Sequence, residues 1–453
     1  MEGHGTASQG VTATILAQVD ALFASPLPDD VVEWSRHCVL DWLGVALAGA
    51  GEALTLALRD EARAEGGRPV ASVLFHGDKI SPTLAALVNA AMADALDFSD
   101  ANPNIHGHTT PAIVAASLAL AEANGASGRA LLEAVVVGIE VACRVGLLAH
   151  GRLHPGGFHP TGTTVVFGAA AAAAHLLGLD ARQRAHALGL AATQGAGLVA
   201  SAGSMAKPFH SGKAAMNGIL AASLARRGFT GRPDAIEAAG GFLSAHVREW
   251  SAAPLASCES RFLIRDTKFK AHAACALTHS SIENMLILMR RHAVTPDSIE
   301  QIELRVPHSS LGVCNIADPA TSLEAKFSLK TVAAMALLGD ATGDINAYDV
   351  ERALRPEVKR LAARIVVAGA DDLDGGEAVA IATLTDGRTL AERYDSYTAK
   401  VDLAAQRDAL GRKFHALVAP MLGETRAARL AETVLVLDRA GSLTPLVALS
   451  ANG

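Results

Sequence analysis

The chain has 453 residues, half of them apolar and only 19% charged, with a formal net charge of −7. That length exceeds what one hydrophobic core usually supports, so two domains are expected. The acidic balance gives no reason to expect a nucleic-acid or membrane-surface partner, and an anionic substrate would have to be drawn by a local cluster of cations.

Low aromatic content (4%) and 41 glycines point to close-packed helices. The N-terminus, MEGHGTASQGVTATILAQ, has an acidic second residue and no arginine before Arg36, so the basic region of a secretory signal and the arginines of a transit leader are not expected. Cys38, Cys143, Cys258, Cys275 and Cys314 form no CxxC pair, which reads as reduced thiols in a reducing compartment. A cytoplasmic location is expected.

Helical patterns then follow one another. PDDVVEWSRHCVLDWLGVALAG has Asp29 or Asp30 as its predicted N-cap, and SPTLAALVNAAMADAL and AIVAASLALAEA come next. The apolar runs Leu132 to Leu148 and Thr163 to Leu179 are short of a clean membrane span; the first carries Glu140 and Arg144, the second His175. They are predicted to be buried helices of a soluble protein. DARQRAHALGLAATQGAG starts with Asp180 as a predicted cap, and no segment of this first half alternates with period two.

The pattern changes after about Arg261. SIEQIELRVPHS alternates Ile302, Leu304 and Val306 as a strand does, RIVVAG is a second strand candidate, and VAIATLTDGRTLAERY predicts a hairpin turning at Asp386-Gly387. EAKFSLKTVAAMALLGD reads as helix among them, and LAAQRDALGRKFHALVAPML and RAARLAETVLVLDRA return the chain to helix. The fold class is therefore mostly α. A large all-helical domain (1–266 and 396–453) carries a smaller α+β lid domain (267–395) inserted before the C-terminal helices.

Candidate chemistry is concentrated in five blocks. ALDFSDANPNIHGHTTPA places Asp97, Asp100, His106, His108, Thr109 and Thr110 between two apolar helices. Buried, that set needs complete internal hydrogen bonding or a ligand. FHPTGTT holds His159; GSMAKPFHSGKAA holds Lys207, His210 and Lys213; KFKAHAACALTHSS holds Lys268, His272, Cys275 and His279; AKFSLKT is the fifth. Each has an ordinary structural reading: His159 as a helix-start group, Lys207 as a solvated loop lysine. H-x2-C-x3-H from His272 to His279 lacks the second half of a structural zinc spacing. Gly203 to Lys213 has the wrong glycine spacing for a phosphate loop, and Gly195 to Gly197 follows no strand, so a Rossmann site is not expected. Two further readings stay open on the residues alone. Asp97, Asp100, His106 and His108 could ligate the metal of a hydrolase, or the chain could be a non-enzymatic helical scaffold.

Taken together, LPDDVVEWSRHCVLDWLGVALAG, ALDFSD...GH, HPTGTT, GSMAKPFHSGKAAMNG, CALTH and EAKFSL resemble the MmgE/PrpD family, which includes 2-methylcitrate dehydratase, cis-aconitate decarboxylase and iminodisuccinate epimerase. The resemblance runs over nearly the whole chain and implies a helical domain with an α+β lid. It also implies a homodimer, a small di- or tricarboxylate substrate, and neither metal nor organic cofactor. It places the family's aspartate on Asp97, its loop histidine on His108, its pocket histidine on His159, its pocket lysine on Lys207 and its lid histidine on His279.

The catalytic candidates are thus Asp97, His108, Lys207 and His279, and the substrate-binding candidates are His159, Lys268 and His272. Lys207 and His159 would hold carboxylates, Asp97 and His108 would form the acid/base pair, and His279 would complete the site on closure. Ala101 and Thr331 stand where members of the family carry a hydroxyl and an aromatic, which points away from the decarboxylase branch. The reading is a 2-methylcitrate dehydratase-like lyase, with an iminodisuccinate-type epimerase or a cis-aconitate decarboxylase as the alternative.

Overall fold

A computed structural model describes residues 10–398 and 402–452. The first residues of the N-terminus, on which part of the leader reading rests, lie outside them. Nine long helices come first: α1 (Val11–Leu22), α2 (Asp29–Ala48), α3 (Ala53–Glu65), α4 (Pro82–Asp94), α5 (Thr110–Asn124), α6 (Gly128–Leu148), α7 (Val165–Leu176), α8 (Ala181–Ala192) and α9 (Ala206–Arg226). Small side chains let them cross closely, above all α4 on α9, α6 on α7 and α7 on α9. Among the described residues no single helix is long and apolar enough to cross a membrane.

Asp180 caps α8, its side chain accepting from the backbone of Gln183 while Gln183 reaches back, a capping box. Neither Asp29 nor Asp30 caps α2. Pro28 is the N-cap, and the two carboxylates sit in the first turn, where the helix dipole favours them equally well. The predicted pair on α6 is buried: Arg144 bonds Glu140 (2.5 Å) and the carbonyl of Cys258 (2.9 Å), while Glu140 accepts from the Ile264 amide (2.9 Å). It ties α6 to the segment that leads out of the helical part.

The later part contains α10 (His279–His292), β1 (Ile299–Pro307), α11 (Leu329–Leu337), β2 (Ile365–Ala370), β3 (Glu377–Leu384) and β4 (Thr389–Asp395). The strands form one sheet in the order β2-β1-β3-β4, with β1 and β2 parallel and the other neighbours antiparallel. β3 and β4 are the predicted hairpin, and Gly387 takes the positive φ (84°) its turn needs. Val306, Ala378, Ala380 and Ala382 face inward, and α10 packs on β3 and β4. The helix predicted over 324–340 is split, a short turn at Ser322–Ala325 preceding α11. A two-residue ladder, 71–72 with 79–80, is the one strand pair in the first half that the sequence pattern did not announce.

The helices that follow the sheet, α12 (Leu403–Leu422) and α13 (Glu424–Leu435), pack back on α2. Arg407 bonds Glu33 (2.6 Å), and Lys413 bonds both Asp41 (2.7 Å) and the carbonyl of Phe98 (2.8 Å). The turn after α13 presses on the start of α6 so closely that a Cβ on Gly128 would lie 1.9 Å from the carbonyl oxygen of Leu437. Gly128→Ala is therefore expected to destabilise the fold by about 1–3 kcal/mol, read as a lower urea midpoint at unchanged slope.

Candidate active site

α4 ends at Asp94, and the chain then turns through fifteen residues before α5 starts at Thr110. Asp97 and His106 both adopt left-handed backbone (φ 53° and 51°), which disfavours an ordinary side chain and persists only where surroundings enforce it. The enforcement is visible. Lys207, from α9, donates to the Asp97 carboxylate. Lys270 donates to its other oxygen (3.1 Å) and to its carbonyl (2.7 Å), and Lys326 donates to the carbonyl of Leu96 (2.8 Å). Three lysines from three distant segments thus fix one buried turn.

Their charges set the local titration. Burial alone would push the Asp97 carboxyl up, but Lys207, Lys270 and His108 outweigh it and hold the group well below the usual carboxylate range. Lys207 responds in kind: burial would lower it, yet Asp94 and Asp97 raise it above an ordinary lysine. Lys326 is different. Burial brings it down to about 8, with Asp97 and Glu52 only partly opposing.

Asp100 is the scaffold of the turn. It accepts from the Thr109 amide (3.2 Å) and hydroxyl (2.7 Å) and from the Thr110 amide (3.0 Å) and hydroxyl (2.6 Å), which closes the loop onto the start of α5. His108 follows from this closure. Its amide donates to Thr161 Oγ1 (3.0 Å), and its Nδ1 lies 2.5 Å from the carbonyl oxygen of Asp100. A carbonyl only accepts, so Nδ1 carries the hydrogen and Nε2 is left bare. Burial, then Lys207 and Lys270, lowers His108 to about 4.

His159 stands at the N-terminus of the short helix Pro160–Thr163, its ring centroid 6.5 Å from that of His108. Burial first, and then Lys207 and His108, keeps it neutral well below an ordinary histidine. Asp97, His108, His159 and Lys207 line one cavity of about 190 Å³. His106 and His154 add to its polar lining, and Leu277, Val313, Phe327 and Tyr397 line it as well. The Lys207 ammonium lies 5.6 Å from the centre of the Phe327 ring.

Lys268, His272 and His279 are not brought to this cavity. They line a second, larger one of about 1350 Å³ between the sheet-bearing part and α12. His279 opens α10 with Nε2 3.3 Å from the Ala274 carbonyl oxygen, and its ring stacks edge-on 5.0 Å from His272. His272 is engaged by Thr342 (2.8 Å) and Glu283 (3.2 Å). The residue that reaches Asp97 is Lys270. Ala101 and Lys268 pair their backbones as an antiparallel bridge, which runs residue 270 back alongside the turn.

Sequence reasoning also missed His154, Phe327 and Tyr397. Lys326 and Phe327 lay inside a block already singled out, but without a role; Tyr397 had no signal at all.

The metal readings meet specific obstacles. Asp94, Asp97 and His108 bring ligand atoms within 4.8 Å of one another, but the Lys207 ammonium already sits on Asp97 and lies 3.7 Å from Asp94. Asp100 is committed to its threonines. Cys275 lines the first cavity while His272 and His279 line the second, so that set does not converge.

Residues 13–254 match the MmgE/PrpD N-terminal domain and residues 272–439 the MmgE/PrpD C-terminal domain. The second match runs through α12 and α13. The cis-aconitate decarboxylase of Mus musculus is 30% identical over 436 residues, covering 91% of this chain and 88% of that protein. That of Homo sapiens is 28% identical, covering 91% and 89%, and that of Aspergillus terreus is 28% identical, covering 98% and 96%. With both domains matched and relatives aligned along nearly its full length, the chain belongs to the MmgE/PrpD family and is an enzyme of that family.

Proposed function

We propose that this enzyme is a cofactor-free lyase that decarboxylates a small tricarboxylate of the cis-aconitate kind. The observation that carries the reading is the mixed lining of the cavity, where Lys207, His108 and His159 stand together with Leu277, Val313 and Phe327. Lys207 and His159 can hold the carboxylates that stay. A carboxylate set against those apolar side chains is poorly solvated, and loss of carbon dioxide relieves that. The broken carbon–carbon bond supplies the pair for a new double bond, the old double bond takes up one proton at carbon, and Lys207 stabilises the charge that develops. Asp97, kept anionic by two lysines, serves to fix Lys207 rather than to carry a proton. The names of the relatives support the same chemistry, against the expectation drawn from Ala101.

A second reading, dehydration of a hydroxy acid such as 2-methylcitrate, is favoured by the bare Nε2 of His108. Decarboxylation needs no base; removing a proton from carbon does. Under either reading residues 267–395 act as a lid over the cavity, and the enzyme is a cytoplasmic homodimer that uses no metal.

Proton NMR in D2O after incubation with cis-aconitate, 2-methylcitrate or iminodisuccinate separates the cases. Release of carbon dioxide from cis-aconitate with one carbon-bound deuterium in the product is expected, at a rate unchanged by dialysis against a chelator. Turnover of 2-methylcitrate alone would install the second reading. Turnover of neither, or a stoichiometric metal needed for activity, would sink both.

A further inference from the structure

His106 and His154 line the Asp97 cavity, the first exposed and the second half-buried. Among the described residues no hydrogen bond or ion pair holds either ring. Their backbones, by contrast, are firmly tied. The Asn102 amide donates to the Gly107 carbonyl (2.8 Å), which closes the turn that carries His106. That turn rests on the end of α6, where a Cβ on Gly146 would lie 2.6 Å from the Asn104 carbonyl oxygen. A second turn joins His154 to His159. Within it the Phe158 amide donates to the Leu153 carbonyl (3.0 Å) and the Gly157 amide to the His154 carbonyl (3.0 Å).

The two turns meet at Gly151, whose φ is 70°. The His106 ring lies against its bare Cα, for a Cβ there would be 2.8 Å from Nε2. Left-handed backbone at His106 (φ 51°) costs free energy, and the ring finds no polar partner within the protein in return. Strain kept without an internal bond to justify it points to a ligand. The charges on the lining say which kind. Among the described residues Asp97 is its one carboxylate, and Lys207 and Lys270 already occupy it. Beside it stand a lysine and four imidazoles, so an anion is what the cavity lacks.

We propose that His106 and His154 form a carboxylate subsite beside His159, which holds one of the acid groups that stay on the substrate and so selects tricarboxylates over acids lacking that arm. An imidazole suits the task, since each ring can donate an N–H to a carboxylate oxygen, more strongly when protonated. The subsite deepens the carboxylate-lyase reading and rests on it for the identity of the ligand.

Calorimetric binding to the whole enzyme tests it without turnover. The probes are propane-1,2,3-tricarboxylate, which has three acid groups and no double bond, and succinate, which lacks one terminal arm. Wild type should prefer the triacid by about tenfold or more. The double variant His106→Gly with His154→Ala should bind the two acids within about threefold of each other. His106→Gly also relieves the left-handed backbone, so the melting temperature should not fall on its account. Wild type that binds both acids alike, or a double variant that keeps the wild-type preference, would overturn the proposal. So would weaker binding of both acids in step with a lowered melting temperature. If the double variant does not fold, His106→Gly alone decides by the same ratio. A preference that needs the two histidines, in an enzyme that turns over none of the carboxylates, would keep the subsite and remove the lyase. Decarboxylation of cis-aconitate with undiminished kcat/KM in the double variant would keep the lyase and remove the subsite.

Discussion

Lys207→Met should lower kcat/KM by about a thousandfold or more, a loss of roughly 4 kcal/mol of transition-state stabilisation. The same change should weaken the fold. Removing one partner of a buried ion pair typically costs about 3–5 kcal/mol, because the other charge stays buried. Here Lys270 still reaches Asp97, so the lower end of that range is expected. A double variant, Lys207→Met with Asp97→Asn, separates the two effects. Replacing both charges should restore much of the stability and none of the activity. Urea denaturation and steady-state kinetics of the two variants are the measurements, and a Lys207→Met enzyme within tenfold of wild type would remove Lys207 from the reaction.

Acid should destabilise the substrate-free protein well before its carboxylates titrate. An unfolded histidine takes up its proton near pH 6.5, whereas His108 in the fold does so only near pH 4. Between those values the unfolded state binds more protons, so stability is complete above about pH 6.5 and is lost as the pH falls toward 4. For His108 alone this amounts to about 3 kcal/mol across the window, and roughly 2 kcal/mol at pH 5. His159 and His279, also held well below an ordinary histidine by burial, add losses of the same sign. Denaturation midpoints at pH 7 and pH 5 should differ accordingly, and His108→Gln should recover part of the difference. Equal midpoints would mean that these imidazoles are charged in the fold.

The helices, the sheet strands and the hairpin at Asp386-Gly387 were legible because each rests on a local period or a local turn. Asp29 and Asp30 were misplaced by a residue or two because a carboxylate suits the cap and the first turn alike. At the cavity, Asp97, His108, His159 and Lys207 come from three blocks whose composition is odd for their apolar surroundings, and those three do converge. Lys268, His272 and His279 went elsewhere for a reason no spacing contains. A backbone bridge formed across more than a hundred residues decides that Lys270, two positions on, lies beside Asp97. Asp100 and the threonines were visible as a polar set, but their mutual satisfaction depended on a loop closing in three dimensions.

The packing of α12 on α2 bears on how the protein is made. α2 is almost wholly buried, and α12, which covers part of it through Lys413 and Arg407, emerges more than 350 residues later. At about 5–20 residues per second, that face stays incomplete for tens of seconds of synthesis. A nascent chain therefore holds every residue of the Asp97 cavity before α2 is covered. Ribosomes that stop just short of Leu403 would release a polypeptide with a full catalytic inventory and an open core, a substrate for chaperones or proteases rather than a slower enzyme.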